Sequence, residues 1–129
     1  MTDSEILPTG GALNAALANQ LGKLIADFTG RGATRSRAFV QQDVVICLLE
    51  DGATRAEVTL VAAGRAELVR RQRDALQRAM EPSLVAAVER LTGRKVRSFL
   101  SGISTLGEDS VEVFVLEPAR SGPDSPTGD

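Results

Sequence analysis

Residues 21–50 read LGKLIADFTGRGATRSRAFVQQDVVICLLE, and residues 84–117 read LVAAVERLTGRKVRSFLSGISTLGEDSVEVFVLE. Each begins as an amphipathic helical stretch and closes on the tripeptide Thr-Gly-Arg, at Thr29-Gly30-Arg31 and again at Thr92-Gly93-Arg94. Two strand-like runs follow in each, the second ending in Leu-Glu (Leu49-Glu50, Leu116-Glu117). The chain is therefore read as two helix–strand–strand units. Joined through further helix, they predict an α/β protein of the α+β type, order α-β-β-α-α-β-β. Its four strands form a mainly antiparallel sheet with helices packed on it.

The first helix extends back from the repeat to about Gly11. Leu13, Leu17, Leu21, Leu24, Ile25 and Phe28 recur at spacings of three and four, which lines one helical face. Gly30 stops it by supplying a left-handed residue. Strands follow near Thr34–Gln41 and Val44–Glu50, joined by a tight turn at Gln42-Asp43. Thr54-Arg55-Ala56-Glu57 has the spacing of a capping box and opens a short helix to about Ala63. Gly64 separates it from a long helix, Arg65 to about Met80, with Leu68, Val69, Gln72, Leu76 and Met80 on its buried side. Pro82 suits the first turn of a restarted helix that runs to Gly93. The last strands lie near Lys95–Ile103 and Ser110–Glu117. Residues 1–9 read as a flexible lead, 10–117 as one domain, and the Pro-, Gly- and Ser-rich 118–129 as a disordered tail.

Four Phe and no Trp or Tyr leave the core to Leu, Val, Ala and Ile. The single cysteine, Cys47, cannot form an internal disulfide and fits a reducing compartment. The longest strongly apolar run, Val44–Leu49, is far short of the ~20 residues that span a bilayer, and the opening MTDSEILPTGG lacks the basic residues of a signal peptide. A cytoplasmic protein is expected, with no membrane insertion of its own. The net charge is −2. The stretch from Arg65 to Arg97 is basic, but acids are interleaved through it and no stacking aromatic accompanies it, which does not favour nucleic acid.

Catalytic chemistry finds little support. With no histidine, Ser-His-Asp and Cys-His mechanisms and histidine metal sites are excluded. Cys47 sits among Val45, Ile46, Leu48 and Leu49 and reads as a small buried hydrophobe. Gly30-Arg31-Gly32 lacks the surrounding glycines and lysine of a phosphate loop. Asp43, Glu50 and Asp51, with Glu108 and Asp109, read as acidic turns. No catalytic residue, metal ligand or cofactor is assigned, and a non-enzymatic protein is expected. The basic residues after the two stops, Arg31, Arg35 and Arg37 with Arg94, Lys95 and Arg97, are candidates for binding an anion or a partner. A pseudo-two-fold axis could bring the two groups together.

The strands add one more expectation. In Val44–Leu49 both alternating faces are apolar, and in the last strand Val111, Val113 and Val115 share one face while Glu112, Phe114 and Leu116 share the other. A sheet with one face in water alternates more cleanly than this. With helices on one side, the other side is expected to be covered by another chain, as in a homodimer; helices split between the faces would cover both without one.

The order of segments resembles a bacterial family. It runs helix, Thr-Gly-Arg-Gly, hairpin, Thr-Arg-Ala-Glu, arginine-rich helix, Leu-Thr-Gly-Arg-Lys-Val, Ser-Gly-Ile-Ser-Thr and Val-Phe-Val-Leu-Glu. This is similar to the MpsC-type component of a sodium-translocating membrane-potential-generating system, a family formerly labelled a domain of unknown function. The resemblance spans about residues 10–117 and is most specific at Gly93-Arg94-Lys95-Val96 and Ser101–Thr105. Ala33 stands where the family usually has proline. The resemblance implies an accessory or regulatory role through protein docking, with a membrane transport complex as partner. The alternative is a module that binds an anionic ligand or nucleic acid through the arginine clusters.

Overall fold

The computed structural model describes residues 6–33, 35–105 and 108–118. Most of the expected lead (residues 1–5) and of the expected tail (119–129) lies outside them. The elements run α1 (Gly10–Thr29), β1 (Arg35–Gln41), β2 (Val44–Glu50), α2 (Arg55–Ala62), α3 (Ala66–Thr92), β3 (Val96–Ile103) and β4 (Ser110–Leu116). The four strands form one antiparallel sheet in the order β1-β2-β4-β3. This is the predicted α+β fold.

The order places the two units back to back. β2 and β4 are the paired inner strands and β1 and β3 the edges, so the strand order is symmetric about the sheet centre. The halves match at the helix ends too. Gly30 (φ 81°) and Gly93 (φ 70°) both take the left-handed conformation, and their amides donate to Ala26 and Glu89 carbonyls at 2.8 Å. Glycine is suited to this conformation, which costs other residues about 1–2 kcal/mol. Beside each glycine, the threonine hydroxyl donates back to the preceding turn, Thr29 to Ile25 O at 2.9 Å and Thr92 to Val88 O at 2.7 Å.

The helices α1, α2 and α3 lie on one side. Leu17, Ala18 and Leu21 of α1 and Met80, Leu84, Ala87 and Val88 of α3 pack on Ala38, Val45, Cys47, Leu49, Phe114 and Leu116 of the sheet. Leu17, Leu21, Leu84 and Phe114 are fully buried, each burial stabilising by about 1.5–3 kcal/mol. Phe99 stacks on Phe114 with ring centroids 4.9 Å apart.

Three expectations are corrected. Phe28 is 42% exposed, because in the last turn of α1 it is Ile25 and Thr29 that face the sheet, and Phe28 lies off that face. Gln72 is exposed and Arg73 takes the inward position instead; Val69, Arg73, Met80 and Leu84 make the stripe that faces the core. The helix does not restart at Pro82 but runs unbroken through it. Pro82 and the Arg78 side chain lie on the exposed side, so the helical bond that proline cannot make is lost where water replaces it. The inward row continues past it without interruption.

Candidate functional site

The arginine corners serve the fold. Arg31 Nη1 donates to Ala53 O at 2.6 Å and Nη2 to Asp51 O at 3.2 Å, clipping the exit of β2 to the end of α1. Arg94 Nη1 donates to Gln42 O at 3.1 Å, and its Nη2 bonds the Asp43 carboxylate and Glu117 O, tying the first hairpin to the end of β4. Arg35 and Arg37 flank Glu50 at 4.0 and 3.2 Å. Lys95 and Arg97 are exposed. The quasi-two-fold does not join the two groups. The register aligns Arg35 with Glu50 at one end of the sheet, and Gln41, Val44, Val115 and Ser98 at the other. The corners after Gly30 and after Gly93 are therefore diagonally opposed. The acidic turns are separated likewise: Asp43 lies at the Arg94 end, while the Asp51 amide donates to Asp109 Oδ1 at 2.8 Å at the far end.

The side of the sheet away from the helices carries a continuous apolar surface. Its middle row crosses all four strands as Phe39, Ile46, Val113 and Leu100. Val44 with Val115 and Leu48 with Val111 flank it above and below. Phe39 and Leu100 are 48% and 54% exposed, large apolar side chains in solvent at the two edges. The centre of the row lies between Ile46 and Val113, with Phe39 and Leu100 at corresponding places on the two edge strands. Arg35 and Arg37 meet Glu50 at one corner of this face, and the exposed Arg97 sits at the bulge of β3 near the opposite corner. Exposed apolar patches of this continuity mark interaction surfaces.

A second constellation lies beneath the helices. Glu57, the acid of the capping box, accepts from the Thr54 amide at 2.8 Å, and its own amide donates to Thr54 Oγ1 at 3.1 Å. The same carboxylate takes both Nε and Nη2 of Arg73, at 2.6 and 2.9 Å, which fastens α2 to α3. Glu57 is 2% exposed. Burial alone would raise its pKa; the Arg73 guanidinium and the Thr54 bonds outweigh burial and hold it below the usual carboxylate range.

Glu112, 4% exposed, projects from β4 on the same buried face as Phe114 and Leu116. Burial pushes its pKa up to about 7, against the Ser101 hydrogen bond and the nearby Arg73 charge, which pull it down. Its Oε1 has no hydrogen-bond partner among the described residues. Directly across the strands is Cys47, whose thiol burial and the Glu112 charge push up to about 12. At neutral pH that thiol is protonated and a poor nucleophile. Glu112 borders a cavity of about 90 Å3 between α1, α3 and the ends of β3 and β4, with Arg73, Asp74, Gln77, Ser101 and Ser110 among its walls.

Sequence reasoning placed Glu112 on the Phe114 face without reading it as buried, and it passed over Arg73. The available signal was the same for both: a charged residue at a position whose neighbours one repeat away are core.

Among the described residues, no helix is long and apolar enough to cross a membrane. No curated protein and no solved structure matches the chain. The family model described as the Na+-translocating membrane potential-generating system (MpsC) matches residues 9–118. That span takes in every helix and strand described above, so the chain belongs to the MpsC family.

Proposed function

We propose that this chain is a non-enzymatic accessory component of the membrane-potential-generating system for which its family is named, acting by protein docking through the bare face of its sheet. The observation that carries the reading is the apolar row Phe39–Ile46–Val113–Leu100 with its flanking valines and Leu48, left uncovered by the helices, which pack on the other side.

The occupant proposed for this face is a second copy of the chain. An isologous contact needs a surface that complements itself. Here the row is quasi-symmetric about its centre and itself uncharged, and Arg35 and Arg37 are matched by Glu50 at one corner. Stacking two copies therefore sets no like charges against each other across the middle. Four strands at ~4.8 Å spacing and seven residues at ~3.3 Å make a face of roughly 19 by 23 Å. Two such faces bury about 900 Å2 before side-chain relief is added, at the small end for a specific interface. The expected dimer is therefore concentration-dependent. It would turn both helical layers, with the arginine-rich side of α3, outward toward the membrane complex.

Disulfide trapping tests the geometry. Cys47 is buried, so a cysteine introduced at Ile46, beside the axis, is the reactive one. Mild oxidation of Ile46→Cys should give a covalent dimer, and Arg78→Cys on the helical side should give none at the same concentration. Equal trapping at both positions would remove the support for this face.

A further inference from the structure

The cavity bordered by Glu112 is on the opposite side of the sheet from the docking face, so ligand binding there and pairing of the sheet faces can each fail without the other. The defining feature of the cavity is a buried carboxylate with one oxygen unpartnered among the described residues. A buried polar atom left without a bond costs about 1–3 kcal/mol, more when charged, and the space beside it is large enough to hold a ligand. About 90 Å3 is the room of roughly three waters at ~30 Å3 each.

The walls decide the chemistry. Glu112, Ser101, Ser110 and Gln77 offer oxygen atoms, with Asp74 at the rim. These are hard donors that suit alkali or ammonium ions rather than thiolate-seeking or imidazole-seeking metals. Among the described residues no three acidic, thiol or imidazole groups gather in one place, whereas calcium usually draws on several carboxylates and magnesium keeps several of its own waters, which a small cavity does not favour. Arg73 also borders the space, but its charge is matched by the two-pronged bond to Glu57. The ionised Glu112 is left as the uncompensated charge.

We propose that this cavity binds one compact monovalent cation, an alkali ion or ammonium, held by the Glu112 carboxylate together with hydroxyl and carboxamide oxygens of Ser101, Ser110 and Gln77. The ion completes the bonding of the orphaned oxygen and fills the space with, at most, a water or two.

The test is an amide and side-chain NMR titration of the full chain at pH 7.5 with sodium, potassium or ammonium chloride. Choline chloride, whose cation is too large for the cavity, holds ionic strength constant. Saturable shifts at the Gln77 side-chain amide and at the Ser101 and Gly102 backbone amides are expected with at least one of the three small cations, and the one that saturates earliest identifies the ion. Glu112→Gln, nearly isosteric, should weaken the response at least tenfold, and Gln77→Leu should weaken it less. Shifts that are the same in choline chloride, absent with all three ions, or undiminished in Glu112→Gln would overturn the proposal.

Discussion

Replacing Glu112 by glutamine should remove a pH dependence of stability that one buried carboxyl creates. The wild-type group stands at about 7 in the fold against 4.5 for an ordinary glutamate. Because the folded value is the higher one, the folded protein holds the proton more tightly. The stabilising contribution is then fully present below pH 4.5 and is lost as pH rises through 7. At about 1.4 kcal/mol per pH unit, the loss comes to about 3 kcal/mol. The groups around this carboxyl include Arg73 from α3, the Cys47 thiol from β2 and the Ser101 hydroxyl from β3, with Asp74 of α3 at the cavity rim. Cys47 stays neutral throughout this range and an arginine stays charged, so neither distorts the window. Glutamine keeps the shape and the Ser101 bond without ionising. The variant should match wild type within about 1 kcal/mol at pH 4.5 and exceed it by about 2–3 kcal/mol at pH 8. With no Trp or Tyr in the chain, the assay is urea denaturation followed by far-ultraviolet circular dichroism, in choline buffers at pH 4.5 to 8. A difference between the two proteins that does not change across this range would show that Glu112 is not buried as described.

Breaking the Glu57–Arg73 bond should cost more than any surface ion pair. Arg73→Met strands a carboxylate that is 2% exposed, and removing one partner of a buried pair typically costs about 3–5 kcal/mol. Glu57 is held below its ordinary pKa, so its contribution is present above 4.5 and fades as pH falls. The Arg73→Met deficit should accordingly shrink toward pH 4, and adding Glu57→Gln should recover part of it. Thr54→Ala removes the hydroxyl half of the capping box and should lower stability by about 1 kcal/mol in the same denaturation assay. Gly30→Ala and Gly93→Ala each force alanine into a left-handed conformation and should each cost about 1 kcal/mol. A Cβ at residue 93 would meet a Leu7 methyl at 2.6 Å, but that methyl can swing aside, so the two losses should be similar; an unchanged melting temperature in either would contradict the cap geometry.

Much of the architecture was legible because it is local. The Thr-Gly-Arg stops, the Thr54–Glu57 box and the two-residue turn at Gln42-Asp43 depend on neighbours a few positions away, and all three are present. The two helix–strand–strand units predicted a four-stranded antiparallel sheet, but not that β2 and β4 would be its inner pair, since two hairpins about an axis can also meet through β1 and β3. What stayed hidden depends on distant partners. Arg73 stands in line with Val69 and Met80, but which partner takes its charge is set by Glu57 on another helix, and no spacing within α3 names that partner. Glu112 is covered only because α1 and α3 close over the Cys47 side of the sheet. Pro82 shows a related limit, since a proline that signals a break is carried through when its lost bond faces water and the row beneath it is continuous. The arginine clusters were legible as residues but not as places. Strand order sets them at opposite corners, where Arg31 and Arg94 bind backbone carbonyls of their own chain.

The proposed role depends most on the bare sheet face pairing with its own copy. Sedimentation equilibrium of the full chain across a hundredfold range of concentration tests that pairing most directly. Wild type should move from monomer toward dimer as concentration rises. Ile46→Glu, which sets two buried charges against each other at the centre of the proposed contact, should remain monomeric at every concentration while keeping its helical dichroism. A wild-type protein that is monomeric throughout, or an Ile46→Glu variant that associates as wild type does, would contradict the claim that this face pairs with itself.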